Sequence, residues 1–276
     1  FIQAYIRDRS FYRAKKEKKL SDKAERLEKE AYVLFSDNKY DEAFRLFKEA
    51  AEIYSNRGGC REAALCFASA ASCWSKKSGE TTFYNAAYTY EKAANEAKKY
   101  GDFGYAALLY KYAAINHERD GEFFNFSDCF YNAKESHRSF FKQNFLKPTR
   151  ILSITQKRKE NAFTLTFKSF FLWLLLTFSF LIWGHGERPL RTFFTAIAVI
   201  LLSAFFYSRG YLYSETIFKP VFWEALYFSM ITFSTVGYGD IVPLGFSRVV
   251  ALLESFSGIF IMPLFVIALS RRYLRV

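Results

Sequence analysis

The stretch "TFSTVGYGDIVP", Thr232 to Pro243, sets two glycines among Thr, Val, Tyr and Asp, between two apolar runs. Glycine adopts left-handed backbone without a Cβ clash, so Gly237 and Gly239 mark a place where helix gives way to another conformation. Non-helical backbone at membrane depth is tolerated where it is buried in protein or lines a water-filled path, because lipid offers N–H and C=O groups no partner. The stretch therefore reads as one that does not cross a bilayer. In Thr-Val-Gly-Tyr-Gly successive carbonyls can face one side. Four such segments about an axis would stack rings of oxygens able to replace the water shell of a dehydrated cation.

The neighbouring sequence sets the context. Apolar runs extend from Ser169 to Trp183, Leu190 to Tyr207 and Val249 to Leu269, and a shorter amphipathic stretch, Val221 to Phe233, leads into the quoted segment. A membrane helix needs about 20 apolar residues for a hydrocarbon core of about 30 Å. The last run meets this, and the middle one does with Arg191 and Arg209 snorkelling at its ends. At about 1.5 Å per residue the first run reaches only about 22 Å, short of a full span unless Phe163 to Lys168 are added, so an interfacial or partly inserted helix on the cytoplasmic leaflet is expected there. Glu254 is the carboxylate inside the last run, and an intramembrane charge needs a partner. Ser229 and Thr232 offer it hydroxyls.

"TVGYGD" is the complete selectivity-filter signature of the potassium-channel pore family. Here it follows a short aromatic helix and precedes a second span, in the order that family requires, so the chain resembles the two-transmembrane pore type. The resemblance implies an outer helix over 190–208, a pore helix over 221–233, a filter over 235–239 and an inner helix over 247–270. It implies K⁺ as the permeant ion, held at Thr235, Val236, Gly237 and Tyr238, with Gly239 permitting the outer turn and Asp240 at the extracellular mouth. It also implies a homotetramer. Tyr227 and Phe228 fall where the family has aromatics around the filter, and Ile231 stands where some members have a carboxylate. Gly258 falls at the family's inner-helix hinge. Pro263 removes a backbone donor and favours a kink. Ile259, Met262 and Val266 make a stripe at helical spacing, the candidate cavity wall.

The other half of the chain is charged and repetitive. An Ala, an aromatic four residues on and an Ala pair at seven and eight recur in "AFRLFKEAA" from Ala43, "AALCFASAA" from Ala63, "AAYTYEKAA" from Ala86 and "AALLYKYAA" from Ala106, with a weaker copy at Phe126, Phe130 and Ala133. Those offsets share one helix face, where small residues let neighbouring helices approach and the aromatic fills the gap. "DNKYDEA", "NRGG", "KSGE", "KYGD" and "RDGE" punctuate the helices. This half resembles tetratricopeptide-like arrays and, more closely, the soluble NSF attachment proteins, which implies an interaction or sensing surface for a ligand or protein.

The expected class is all-α: an N-terminal α-solenoid over 1–146, a basic connector over 147–168, a hydrophobic helix over 169–189 and membrane-embedded pore helices over 190–276. The formal charge of +12 is densest at Lys142, Lys147, Arg150, Lys157, Arg158 and Lys159, beside the hydrophobic half, which points to anionic lipid rather than nucleic acid. Cys60, Cys66, Cys73 and Cys129 lack paired spacing, so neither a zinc site nor a disulfide framework is signalled. His117 and His137 stand apart from any ligand or nucleophile cluster in sequence, and no grouping for hydrolytic chemistry is present, so no enzyme is expected. No charged, apolar and small-residue cleavage pattern follows Phe1, so no signal peptide is expected, and the chain reads as a fragment. No helix carries Arg or Lys at every third position, so no intrinsic voltage sensor is visible in this sequence.

The resulting expectation is a K⁺ channel in the cell membrane, its repeat domain and C-terminus cytoplasmic, regulated from the N-terminal side. The competing readings are a non-conducting membrane-anchored adaptor and a weakly selective cation channel.

Overall fold

The computed structural model describes residues 2–77, 82–146 and 162–273. The chain divides into two units, Phe1–Leu174 and Leu175–Val276, and helix dominates both.

The first unit holds α1 (Ile2–Ser36), α2 (Tyr40–Asn56), α3 (Cys60–Lys76), α4 (Thr82–Tyr100), α5 (Phe103–Arg119) and α6 (Phe123–Leu146), each packed on the next. The Ala-aromatic-Ala-Ala faces are the packed faces: Ala43, Phe47, Ala50 and Ala51 of α2 are wholly buried, and the matching residues of α3, α4 and α5 are buried as well. Burying an aromatic of this size is worth about 1.5–3 kcal/mol, and the alanines beside it bring the backbones close enough to exclude water. The links turn through left-handed residues, Asn38, Gly58, Gly101 and Gly121. Asp102 caps α5 by accepting from the Tyr105 amide at 3.0 Å. Ser78 to Glu80 of the "KSGE" link lie outside the described residues.

His117 corrects the sequence reading. Its Nε2 lies 2.7 Å from Glu91 Oε1, and the ligand atoms of Glu91, His117 and Cys129 all fall within 4.8 Å of one another. These residues come from three different helices, so spacing rules that look for neighbouring ligands along one segment pass over them.

Helix α7 (Ala162–Trp183) is shared between the units. The helix includes Phe163 to Lys168, the residues a full span needs beyond the apolar run, and its 22 residues reach about 33 Å. Thr164–Gly186 is long and apolar enough to cross a membrane. Within the first unit, Phe145 near the end of α6 packs on Phe170 of α7 and stacks on Trp173, at ring separations of 5.0 and 6.3 Å. The basic cluster from Lys147 to Lys159, with the lipid contact expected of it, and the terminal Leu274 to Val276 lie outside the described residues.

The second unit continues through a short 3₁₀ turn, Gly184–Gly186, to α8 (Pro189–Arg209), β1 (Tyr211–Ser214), β2 (Thr216–Phe218), α9 (Phe222–Phe233), β3 (Val242–Leu244) and α10 (Phe246–Tyr273). Pro at the start of α8 needs no amide partner there. Helix α9 packs on both α8 and α10, which also pack on each other. The three strands form an antiparallel sheet in the order β2-β1-β3, with Leu212 opposite both Phe218 and Pro243. Leu212 is buried with Tyr207, Ala225 and Phe228 in the core of this unit. The sheet fastens the segments that flank α9 and the glycine stretch.

Candidate functional site

The site begins where α9 stops. Glu224 caps the start of this helix by accepting from the Val221 amide at 2.9 Å. Phe228, Ile231 and Phe233 bury its inner face. After Phe233 the backbone turns: Thr235 donates its amide to Thr232 O at 3.1 Å, while the amides of Val236 and Gly237 both converge on Ile231 O at 3.1 and 3.2 Å. Positive φ then falls at every second residue, 58° at Thr235, 50° at Gly237 and 80° at Gly239. A threonine in this region is strained, and three amide bonds to the last turn of α9 hold it there.

Thr235 to Asp240 are exposed along their whole length. Among the described residues no hydrogen bond is accepted by the carbonyls of Thr235, Val236, Gly237, Tyr238 or Gly239. The stretch thus offers a row of unclaimed oxygens in an apolar unit, a costly arrangement unless something polar meets them. Asp240 is fixed at the end of the row, accepting from the Tyr227 hydroxyl at 2.8 Å and from the Ile241 amide at 3.0 Å. Phe228 meets Tyr207 edge-on at 4.8 Å, and Ile231 lies in the apolar core.

Behind α9 sits a buried polar cluster. Glu254, 2% exposed, accepts from the Ser229 hydroxyl and, at 2.7 Å, from Tyr207, with Ser203 as a further partner. Ser229 is also 2.8 Å from Ile200 O. Helices α8, α9 and α10 are therefore tied through one carboxylate. Sequence reasoning finds Ser229 but not Tyr207 or Ser203, although these sit one helical turn apart in an otherwise apolar run and could have been read as a polar face.

Gly258 lies in unbroken α10, which also continues through Pro263. A Cβ there would fall 3.0 Å from the Phe233 carbonyl carbon and 3.4 Å from its Cα, and closer still to its oxygen. The glycine lets α10 approach the backbone that launches the exposed stretch. Ile259, Met262 and Val266 are exposed, as are Leu252, Leu253, Phe256 and Phe260, so α10 is bare over much of its circumference.

At the other end of the unit, Glu187 is fully buried. Its Oε1 lies 4.0 Å from Arg271 Nη1, and Arg272 donates to its carbonyl at 3.4 Å. Arg191 donates to Phe180 O at 3.2 Å with its guanidinium over that ring. The turn between α7 and α8 is thereby joined to the end of α10.

Residues 194–275 match the family model described as "Ion channel". The match takes in most of α8, all of α9, the exposed stretch and α10, and covers less than half of the chain. The match supports an ion-channel domain over this part of the chain, and three helices among the described residues are long and apolar enough to cross a bilayer. Comparison with curated proteins and with solved structures finds no match to the chain.

Proposed function

We propose that the chain is one subunit of a tetrameric, K⁺-selective channel whose filter is Thr235 to Gly239. The observation that carries this reading is the alternation of left-handed backbone at Thr235, Gly237 and Gly239 along a row of carbonyls with no other partner. Alternating hand turns successive peptide dipoles the same way. Rings of such oxygens substitute for the hydration of a monovalent ion. The bare circumference of α10 supports association with further copies, which would leave part of it facing a cavity and part facing lipid. Asp240 would stand at the outer mouth and draw cations toward it. Reconstituted in liposomes, the protein should carry K⁺ flux with a reversal potential that follows the K⁺ gradient in K⁺/Na⁺ mixtures. Absence of flux would favour a non-conducting adaptor, and a reversal potential indifferent to the K⁺/Na⁺ ratio a weakly selective channel.

We place the first unit and the C-terminus in the cytoplasm. Trp173, midway along α7, stacks on Phe145 of α6, close in sequence to Lys142 and Lys147. Were α7 to cross the bilayer, Lys142, three residues before Phe145 on α6, would have to follow Trp173 toward the hydrocarbon. An α7 lying along the cytoplasmic leaflet keeps both of its basic flanks on the side the positive-inside rule favours. Four cysteines in thiol form also suit a reducing compartment. The length and apolar character of α7 favour the second reading, in which it crosses and the helical repeats, tetratricopeptide-like or NSF-attachment-protein-like, lie outside. Protease accessibility of residues 22–145 in sealed vesicles of known orientation separates the two.

Regulation would enter through the repeats. A ligand or protein bound there can shift a gate by its differential affinity for open and closed states. Helix α7 and the Glu187–Arg271 contact offer a route to α10, on which Gly258 and Pro263 are the proposed bending points. Removing residues 1–160 should change the open probability; an unchanged value with and without candidate effectors rejects this coupling.

A further inference from the structure

Three side chains able to bind metal meet inside the repeat unit, far apart in sequence and outside every role assigned above. Glu91 stands on α4, His117 on α5 and Cys129 on α6. A carboxylate only accepts, so the His117 Nε2 at 2.7 Å from Glu91 Oε1 carries a proton and donates it. The Cys129 thiol faces the same carboxylate, its Sγ within 4.8 Å of both other ligand atoms. Two protons thus occupy the space between three ligand atoms. The His117 and Cys129 side chains are almost wholly buried, whereas a third of the Glu91 side chain reaches solvent, which leaves an entry on one side. His117 Nδ1 is buried without a hydrogen-bond partner.

An ion pair within the fold accounts for His117 and Glu91. It does not account for a thiol directed at the same carboxylate, in a stack whose other interface positions are mostly alanine. One thiolate, one imidazole and one carboxylate form a mixed soft and hard donor set that suits a tetrahedral divalent ion with a fourth position open to water. Bonds of about 2.3 Å to sulfur and about 2.0–2.2 Å to nitrogen and oxygen would hold the three ligand atoms about 3.3–3.6 Å apart, so the His117–Glu91 pair would open from 2.7 Å while all three atoms stay inside the 4.8 Å that the fold allows them.

We propose that Glu91, His117 and Cys129 bind a borderline divalent transition-metal ion of the Zn²⁺ type. On entry of the ion the thiol proton leaves to solvent. The imidazole stays neutral, its proton exchanging through solvent from Nε2 to Nδ1, and the two charges of the ion balance the thiolate and the carboxylate. The bound ion would cross-link α4, α5 and α6.

The test uses the full chain in detergent, stripped with a chelator and titrated with Co²⁺, which reports thiolate ligation through a near-ultraviolet charge-transfer band. The band should saturate at about one Co²⁺ per chain and vanish when Zn²⁺ is added. Cys129→Ser and His117→Gln should lack it, and Cys60→Ser should keep it. No band in the unaltered protein, or a band that survives Cys129→Ser or His117→Gln, overturns the site. Should those variants fail to fold, alkylation of Cys129 in the unaltered chain decides: Zn²⁺ should slow it, and an unchanged rate overturns the proposal.

Discussion

Replacing Gly258 by alanine separates two uses of a glycine in an apolar helix. As a hinge, Gly258 matters when α10 bends; as a close-approach residue, it matters in every state, because the Phe233 backbone lies against it. The added methyl would sit 3.0 Å from the Phe233 carbonyl carbon and nearer to the oxygen, a separation that real Cβ atoms essentially never show. The obstacle is backbone rather than the end of a flexible side chain, so α9 or α10 must shift. Overpacking of this kind costs about 1–3 kcal/mol. Alanine recovers up to about 1 kcal/mol of helix propensity over glycine, leaving a net cost of up to about 2 kcal/mol. At about 1.4 kcal/mol per factor of ten, that is up to about 30-fold against the conformation with α10 seated on α9. Phe233 stands two residues before Thr235, so the displacement is delivered to the exposed stretch. Gly258→Ala should therefore lower unitary conductance and K⁺/Na⁺ discrimination in single-channel recordings, alongside any change in open probability. A variant with altered open probability but unchanged conductance and reversal potential would refute the packing argument and leave the hinge.

The remaining predictions concern the polar ties around α9. Glu254→Ala removes the acceptor of the buried Tyr207 hydroxyl, at about 1–3 kcal/mol for the orphaned group, whereas Ser229 keeps Ile200 O. Glu254→Gln retains one acceptor oxygen and should melt between Glu254→Ala and the parent when unfolding of the solubilised protein is followed by tryptophan fluorescence; equal melting of all three would rule out the network. Tyr227→Phe deletes the 2.8 Å bond to Asp240, worth about 0.5–1.5 kcal/mol. It should speed loss of current during sustained recording by about 2- to 10-fold, and an unchanged time course would show that Asp240 is held by other means.

What the sequence discloses depends on how far apart the cooperating residues lie. The stacked helices are legible because their signal is local: Ala43, Phe47, Ala50 and Ala51 are one face of one helix, and that face repeats. The end of α9 is legible for the same reason, since Gly237 and Gly239 announce left-handed backbone. The start of α7 is missed because Thr164, Thr166 and Lys168 interrupt an apolar run without interrupting a helix. The strands are missed because segments of three and four residues carry no period. Tyr207 with Glu254, and Glu91 with His117 and Cys129, are pairings across helices, and no window along one segment contains them. Gly258 combines both situations. The residue is plain in the sequence and its position invites the idea of a bend, but the reason for it that the structure supplies is the Phe233 carbonyl on another helix. A helix can bend at residues other than glycine, whereas a backbone can approach this closely only where no Cβ stands in the way, so the close approach is the stricter demand on this position.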